Sequence, residues 1–308
     1  MKRMKGLFAL LLALALCMGV ACAEAGGLSI VCTSFPCYDL ARAIAGERAE
    51  IRLLIKPGAE VHSFEPTPAD VLAIADCDLF LYIGGESDAW VLDILESFGE
   101  DAPRALRFFD CVEALEEEEV EGMTVSGAHE HEHEYDEHIW TSPVNAAAML
   151  DTLEAELCEI DASGAEAYRA RAAAYRAEIM EIDAQIREIV DGAARRELIF
   201  ADRFPFLYFA REYGLDYYAA FPSCAAESEP SAKTLAFLIE RVRADGVPAV
   251  YTIELSSGKT ANAICEETGA KQLCLHSIQT LSEADFSAGE TYVSLMRRNV
   301  EALREGLN

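Results

Sequence analysis

The stretch GAHEHEHEYDEHIW, residues 127–140, carries four of the six histidines in the chain. His129, Glu130 and His133 spell H-E-x-x-H, the spacing with which zinc proteases set two imidazoles and a general base on one helix. That chemistry needs an ordered helix with an apolar face behind it. Here the fillers are His131 and Glu132, and the flanks are Gly127 on one side and Tyr135, Asp136 and Glu137 on the other. No buried face fixes a helix, so the pattern points to a flexible loop that collects zinc through His129, His131 and His133. A solvated charged loop is the plainer alternative. His138 differs from these three, because His138-Ile139-Trp140 ends the polar run and enters an apolar segment. A second marked stretch is PGAEVHSFEPTPAD, residues 57–70. Its prolines and glycine, with Thr67 as a helix cap, hold the backbone and present His62 from a loop after a strand. Open α/β sheets bind their ligands at that end of the strands.

The elements that must position these residues alternate along the chain. Short β-branched and aromatic runs lie at 28–35, 51–57, 79–84 and 105–110, and again at 197–202, 215–221, 249–255 and 271–277. Between them, segments such as TPADVLAIADC and SAKTLAFLIERVRADG have apolar residues at helical spacing and end at Gly or Asp. The expected fold is α/β: two lobes, each a mostly parallel four-stranded sheet flanked by helices. Tyr168, Tyr175, Ile179, Ile182, Ile186 and Ile189 share one helical face, and no Pro or Gly interrupts 166–191. One long backbone helix of about 25 residues, near ~38 Å, is expected to join the lobes. The division is a signal segment over 1–23, an N-terminal lobe over 24–142, a helical linker over 143–194 and a C-terminal lobe over 195–308. Within the first lobe, 116–137 reads as an acidic, His-rich, mobile loop.

Composition excludes some classes. Asp and Glu number 54 against 25 Lys and Arg, a formal charge of -29, so no nucleic-acid partner is expected. The start MKRMKGLFALLLALALCMGVACA has three basic residues, a short apolar run and then small residues, which is an export signal. Ala21-Cys22-Ala23 fits a small-x-small cleavage site, and Cys22 also fits a loose lipoprotein box that would anchor the protein by lipid. The location is the periplasm or the outer face of the membrane. The eight cysteines beyond Cys22 form no C-x-x-C pair, so a thiolate zinc site is not expected. Cys265 with Cys274 is the nominated disulfide.

Residues 57–70 closely resemble the first-ligand loop of the substrate-binding proteins of zinc and manganese ABC transporters. Thr33-Ser34-Phe35 with Tyr38-Asp39, Asp136-Glu137-His138-Ile139-Trp140, Tyr208-Phe209-Ala210 with Tyr213-Gly214-Leu215, 227–231 and 289–299 support the resemblance in order. It implies two α/β lobes joined by a long helix, with one metal in the cleft between them. His62 and His138 fall at the first two ligand positions. The third falls on Arg203, whose guanidinium stays protonated and offers no acceptor. The fourth falls on His276, and Asp202, Glu254 and Glu60 are the carboxylates that could substitute. Three imidazoles and one carboxylate favour Zn²⁺ over Mn²⁺. Arg203, paired with Glu227 or Glu229, would clamp the lobes.

The expected function is a zinc receptor that delivers Zn²⁺, its transported substrate, to an ABC-transporter permease, as a monomer and without enzymatic chemistry. Capture should weaken below about pH 6, because imidazoles titrate near pH ~6.5. Three alternatives stay open: a Mn²⁺ or Fe²⁺ receptor of the same fold, an exported zinc hydrolase and a metal-independent adhesin.

Overall fold

The structure, a computed structural model, describes residues 27–124, 135–223 and 229–308. The proposed signal segment, His129, His131, His133 and Glu227 lie outside the described residues. The first lobe contains β1 (Leu28–Cys32), α1 (Phe35–Ala45), β2 (Ala49–Leu53), α2 (Pro68–Ala75), β3 (Leu79–Tyr82), α3 (Ala89–Phe98) and β4 (Ala105–Arg107). Its sheet has the order β2-β1-β3-β4, with every pair parallel. Two helices follow, α4 (Pro143–Ile160) and α5 (Ala165–Gly192). The second lobe repeats the plan with β5 (Glu197–Arg203), α6 (Leu207–Tyr213), β6 (Asp216–Phe221), α7 (Ala232–Asp245), β7 (Ala249–Thr252), α8 (Lys259–Thr268) and β8 (Lys271–Cys274). Its order, β6-β5-β7-β8, is the same and is again parallel throughout. The chain ends in α9 (Glu283–Ser287) and α10 (Tyr292–Gly306).

The two-residue period of each strand explains the layering. Ile30, Leu79 and Leu81 of the first sheet and Leu198, Phe200 and Tyr251 of the second face a shared interior. Their neighbours in sequence point the other way. Val31, Phe80 and Tyr82 meet Ile74 and Val91 under α2 and α3, while Ile199 and Val250 meet Leu238, Val242 and Ile264 under α7 and α8. Both faces of the central strands β1, β3, β5 and β7 are therefore buried, which is why these strands read as continuous apolar runs, whereas the edge strands β2, β4 and β8 stay partly exposed.

The shared interior is built on α5. Its 28 residues span about 42 Å, and Tyr168, Ile179, Ile182, Ile186 and Ile189 line its buried face as their spacing requires. Asp39 of α1 fastens this layer. Wholly buried, it accepts from Arg42 at 2.7 Å, from the Tyr175 hydroxyl of α5 and from the backbone N–H of Tyr292 at the start of α10 at 2.9 Å. The last helix thus returns to the layer between the lobes.

Three expectations need correction. The segment before the His-rich stretch is not a mobile loop over its described part, because 115–124 is docked on the second lobe. The Thr124 N–H donates to Ala220 on the edge of β6 at 2.9 Å, Glu117 accepts from the N–H and hydroxyl of Ser223, and Arg211 pairs with Glu118. Cys265 and Cys274 are free thiols. Cys265 sits in the last turns of α8 beside the outer core cluster, whereas Cys274 ends β8 and is exposed. Finally, β2 begins two residues earlier than the apolar run and ends at Leu53, although Leu54 and Ile55 still donate to Cys32 and Thr33 beyond it.

Candidate metal centre

Residues at and beyond the carboxyl ends of β2, β5, β7 and β8 line one cleft, and the proposed ligands stand in such segments except His138, which lies in the turn ahead of α4. His62 comes from the loop between β2 and α2. That loop is closed by a capping box, in which Thr67 and Asp70 exchange side-chain and backbone bonds. Phe64 anchors it on Trp90, with ring centroids 5.7 Å apart. The His62 Nδ1 lies 2.8 Å from the Ser87 hydroxyl, and Ser87 in turn donates its N–H at 2.8 Å and its hydroxyl to the Glu137 carboxylate. Burial, and then the neighbouring His138, hold the His62 imidazole below its ordinary pKa. The ring is therefore neutral and available as a donor near neutral pH.

His138 is fully buried. Its backbone N–H donates to Asp136 Oδ1 at 2.8 Å, and Nδ1 meets the same oxygen at 3.2 Å. A carboxylate there fixes the proton on Nδ1 and leaves the Nε2 lone pair outward, the arrangement that orients metal-bound histidines. That Nε2 is buried and has no hydrogen-bond partner among the described residues. Burial alone would lower the His138 pKa, but Asp136 and Glu137 outweigh it and raise the value. The segment is gripped from the second lobe: Tyr208 donates to the Asp136 carbonyl at 2.8 Å, and the Trp140 indole donates to the Ser277 carbonyl at 2.8 Å.

Together His62, Glu137 and His138 each offer a ligand atom, and these atoms all lie within 4.8 Å of one another. A tetrahedral zinc with bonds of ~2.0–2.1 Å spaces its donors about 3.3 Å apart, so small side-chain movements close the set. Glu137 reaches this place over Gly85, where any Cβ would collide with the Glu137 side chain. Glu137 was missed from the sequence. Its signal was adjacency to His138, hidden in a run of acidic residues.

The other expected residues are placed differently. His276 is not part of this cluster. Its Nδ1 takes the Ile278 N–H at 2.9 Å, and its backbone is held by Asn299. Glu254 accepts from the N–H and hydroxyl of Ser277 at 2.7 and 2.5 Å and lines the cleft, as does Asp202. Arg203 does bridge the lobes, but to Glu60 at 3.4 Å. Glu60 had been nominated as a spare ligand; of the nominated clamp partners, Glu227 lies outside the described residues. A residue not anticipated, Gln279, brings its Nε2 to 3.4 Å from His62 Nε2. It follows β8 in the second lobe, so nothing in its type or neighbours announces this contact.

Comparison with known proteins bears on the family and the fold. A family model described as zinc-uptake complex component A, periplasmic (ZnuA), matches residues 30–306. The chain is 32% identical over 310 residues to the zinc-binding lipoprotein AdcA of Streptococcus pneumoniae, a match covering 99% of this chain and 61% of that protein. It thus spans less than two thirds of that relative's length. Against the high-affinity zinc uptake system protein ZnuA of Bacillus subtilis it is 32% identical over 292 residues, covering 94% of this chain and 90% of the relative. The Zn(II)-bound ZnuA-like domain of S. pneumoniae AdcA superposes with a TM-score of 0.75 at 29% identity, over 92% of this chain and 99% of that one. With a match that runs from the first strand to the last helix, the chain belongs to the ZnuA family of zinc-uptake complex components.

Proposed function

We propose that this protein is an extracytoplasmic zinc receptor that captures Zn²⁺ on His62, Glu137 and His138 and hands it to an ABC-transporter permease. The observation that carries the reading is the fully buried His138 Nε2, which has no hydrogen-bond partner among the described residues and points into a cluster with a second imidazole and a carboxylate. An unsatisfied buried polar atom is costly unless something occupies it, and two nitrogens with one oxygen suit zinc better than manganese. Relatives named for zinc binding and zinc uptake support the same cargo. Export, with Cys22 as a lipid attachment point, fits a receptor that must stay near its permease.

The test is a competitive Zn²⁺ titration against a chelator, using metal-stripped protein lacking 128–134. One tight site should remain, and His62→Ala and His138→Ala should each weaken it by at least ~100-fold, since each removes a direct donor. Retention of full affinity in both variants would sink the reading.

A cavity of about 260 Å³ beside His62 favours one second reading, an exported zinc hydrolase. Two histidines and a glutamate with an open position are also a catalytic donor set. Zinc-dependent turnover of ester or peptide substrates, lost in His62→Ala, would support it.

A further inference from the structure

Glu137 is the carboxylate of the donor cluster, and the way it is held limits how it can bind a metal. Ser87, in the single helical turn Glu86–Asp88 ahead of α3, gives it both of its donors. The backbone N–H goes to Oε2 at 2.8 Å and the hydroxyl goes to Oε1. Two donors on one residue, one for each oxygen, meet a carboxylate at its open edge. That is the edge a cation must use to take both oxygens at once, as Ca²⁺ often does. Of the roughly four lone-pair sites of the group, one outward site on each oxygen is left. Gly85, where any Cβ would collide with the Glu137 side chain, closes off the other flank. Glu137 is buried, so leaving this bracket would strand a charge without its donors.

The same hydroxyl settles a second donor. A serine has a single O–H, and here it goes to Glu137, because an ionised carboxylate only accepts. Toward the His62 Nδ1, 2.8 Å away, the Ser87 oxygen can therefore only accept in turn. Nδ1 carries the proton, and the lone pair of the neutral ring is at Nε2. That nitrogen faces the Gln279 amide across the cleft at 3.4 Å, and His62 lines the cavity there. One side chain thus fixes the tautomer of one metal donor and the denticity of another.

We propose that Ser87 is a positioning residue that sets metal selectivity: by bracketing both oxygens of Glu137 it holds this ligand to one-oxygen binding and the site to the low coordination number of zinc. Zinc is satisfied by four donors and accepts imidazole nitrogen readily. Manganese prefers octahedral sites rich in oxygen. Two imidazoles and one usable carboxylate oxygen leave Mn²⁺ short of its preferred donors. This inference rests on the zinc-receptor reading and adds to it the residue by which the site rejects a competing ion.

The test is the ratio of zinc to manganese affinity in the metal-stripped, full mature chain. Chelator competition gives the first and electron paramagnetic resonance of free Mn²⁺ the second, for wild type, Ser87→Ala and Ser87→Thr. Ser87→Ala should lose ~10–100-fold in zinc affinity, the usual cost of removing an outer partner of a ligand, and keep or gain manganese affinity, so that the ratio falls at least ~10-fold. Ser87→Thr, which keeps the hydroxyl, should hold the wild-type ratio. A merely structural role weakens both ions alike. An unchanged ratio in Ser87→Ala, beside tight zinc binding by the wild type, would therefore overturn the proposal and leave the receptor reading in place. Should Ser87→Ala fail to fold, X-ray absorption of the wild type carrying less than one equivalent of zinc decides instead. A single shell of four nitrogen and oxygen donors at ~2.0–2.2 Å is expected, and a fifth, longer oxygen from a bidentate carboxylate would overturn the proposal. A wild type that binds no zinc would overturn both readings.

Discussion

Asp136 does for His138 what an outer carboxylate does for a metal-bound imidazole: it fixes the tautomer and the ring plane through contacts of 2.8 and 3.2 Å to one oxygen. Removing such a support typically costs ~10–100-fold in metal affinity. Asp136→Ala is therefore expected to weaken zinc binding by that range, read by chelator competition, with thermal unfolding of the stripped protein as a check that the fold survives. Unchanged affinity would mean that Trp140, whose ring centroid lies 5.3 Å from that of His138, orients the imidazole by itself. At this scale the sequence was informative where a residue type was rare. Histidines are few outside one run, so His62 and His138 stood out. Glu137 did not, because it is one of 54 acidic residues in the chain and its role depends on Ser87 and Gly85 of another loop. Gln279 was illegible for the same reason: its contact with His62 exists only because two lobes meet.

The loop between β3 and α3 is organised by a buried charge. Asp88 accepts the N–H groups of Ile83 and Gly84 at 2.8 and 3.1 Å, and Thr33 at the end of β1 adds a longer contact. Burial, opposed by these bonds and assisted by Glu137, pushes its pKa up to about 6. A carboxyl whose folded pKa lies above its unfolded value holds its proton more tightly when folded. Its stabilising contribution is complete below about pH 4 and is lost as pH rises through about 6. The stability of the stripped wild type relative to Asp88→Asn should thus fall by roughly 2–3 kcal/mol between pH 4 and 6.5, then stay level. Urea unfolding across that range measures it, and parallel curves for the two proteins would refute the assignment. Elements were the most legible scale. All eight strands and the long helix were expected from the sequence, most plainly the central strands, which are buried on both faces, and α5, which has one continuous buried stripe. The capping signal at Thr67 was equally local and is present. The nominated disulfide was not legible, since the sequence does not say how Cys265 within α8 and Cys274 at the end of β8 are placed relative to each other.

Across the whole molecule two larger ties join the lobes beside the Arg203–Glu60 and Gln279–His62 contacts of the cleft. One tie is the helical layer of α1, α5 and α10 around Asp39, and the other is the strap before the His-rich segment. Nothing in the strap's acidic composition showed that it would dock, since its anchors are scattered over the second lobe. Thr124 donates its N–H to Ala220, shares a 2.8 Å contact with the Thr234 hydroxyl and accepts from the Ser231 N–H at 2.9 Å. Glu117 adds two bonds to Ser223, and the Leu115 N–H donates to the Tyr208 hydroxyl at 3.0 Å. The strap covers the outer edge of β6, an exposed strand edge that would otherwise be open to pairing. It also leads directly into the segment that carries His129, His131 and His133, so the anchored end sets where a collecting loop can reach. Glu117→Ala combined with Thr124→Val removes the side-chain partners at both anchors. At a net ~0.5–1.5 kcal/mol per hydrogen bond the pair should cost about 2–4 kcal/mol, less than the sum because exposed groups regain water. Hydrogen exchange should rise across 115–124 and at β6 while β5, held between two strands, keeps its protection. Fast exchange of the Thr124 amide in the wild type would mean the strap is not docked in solution, and the helical layer and the cleft contacts would then join the lobes without it.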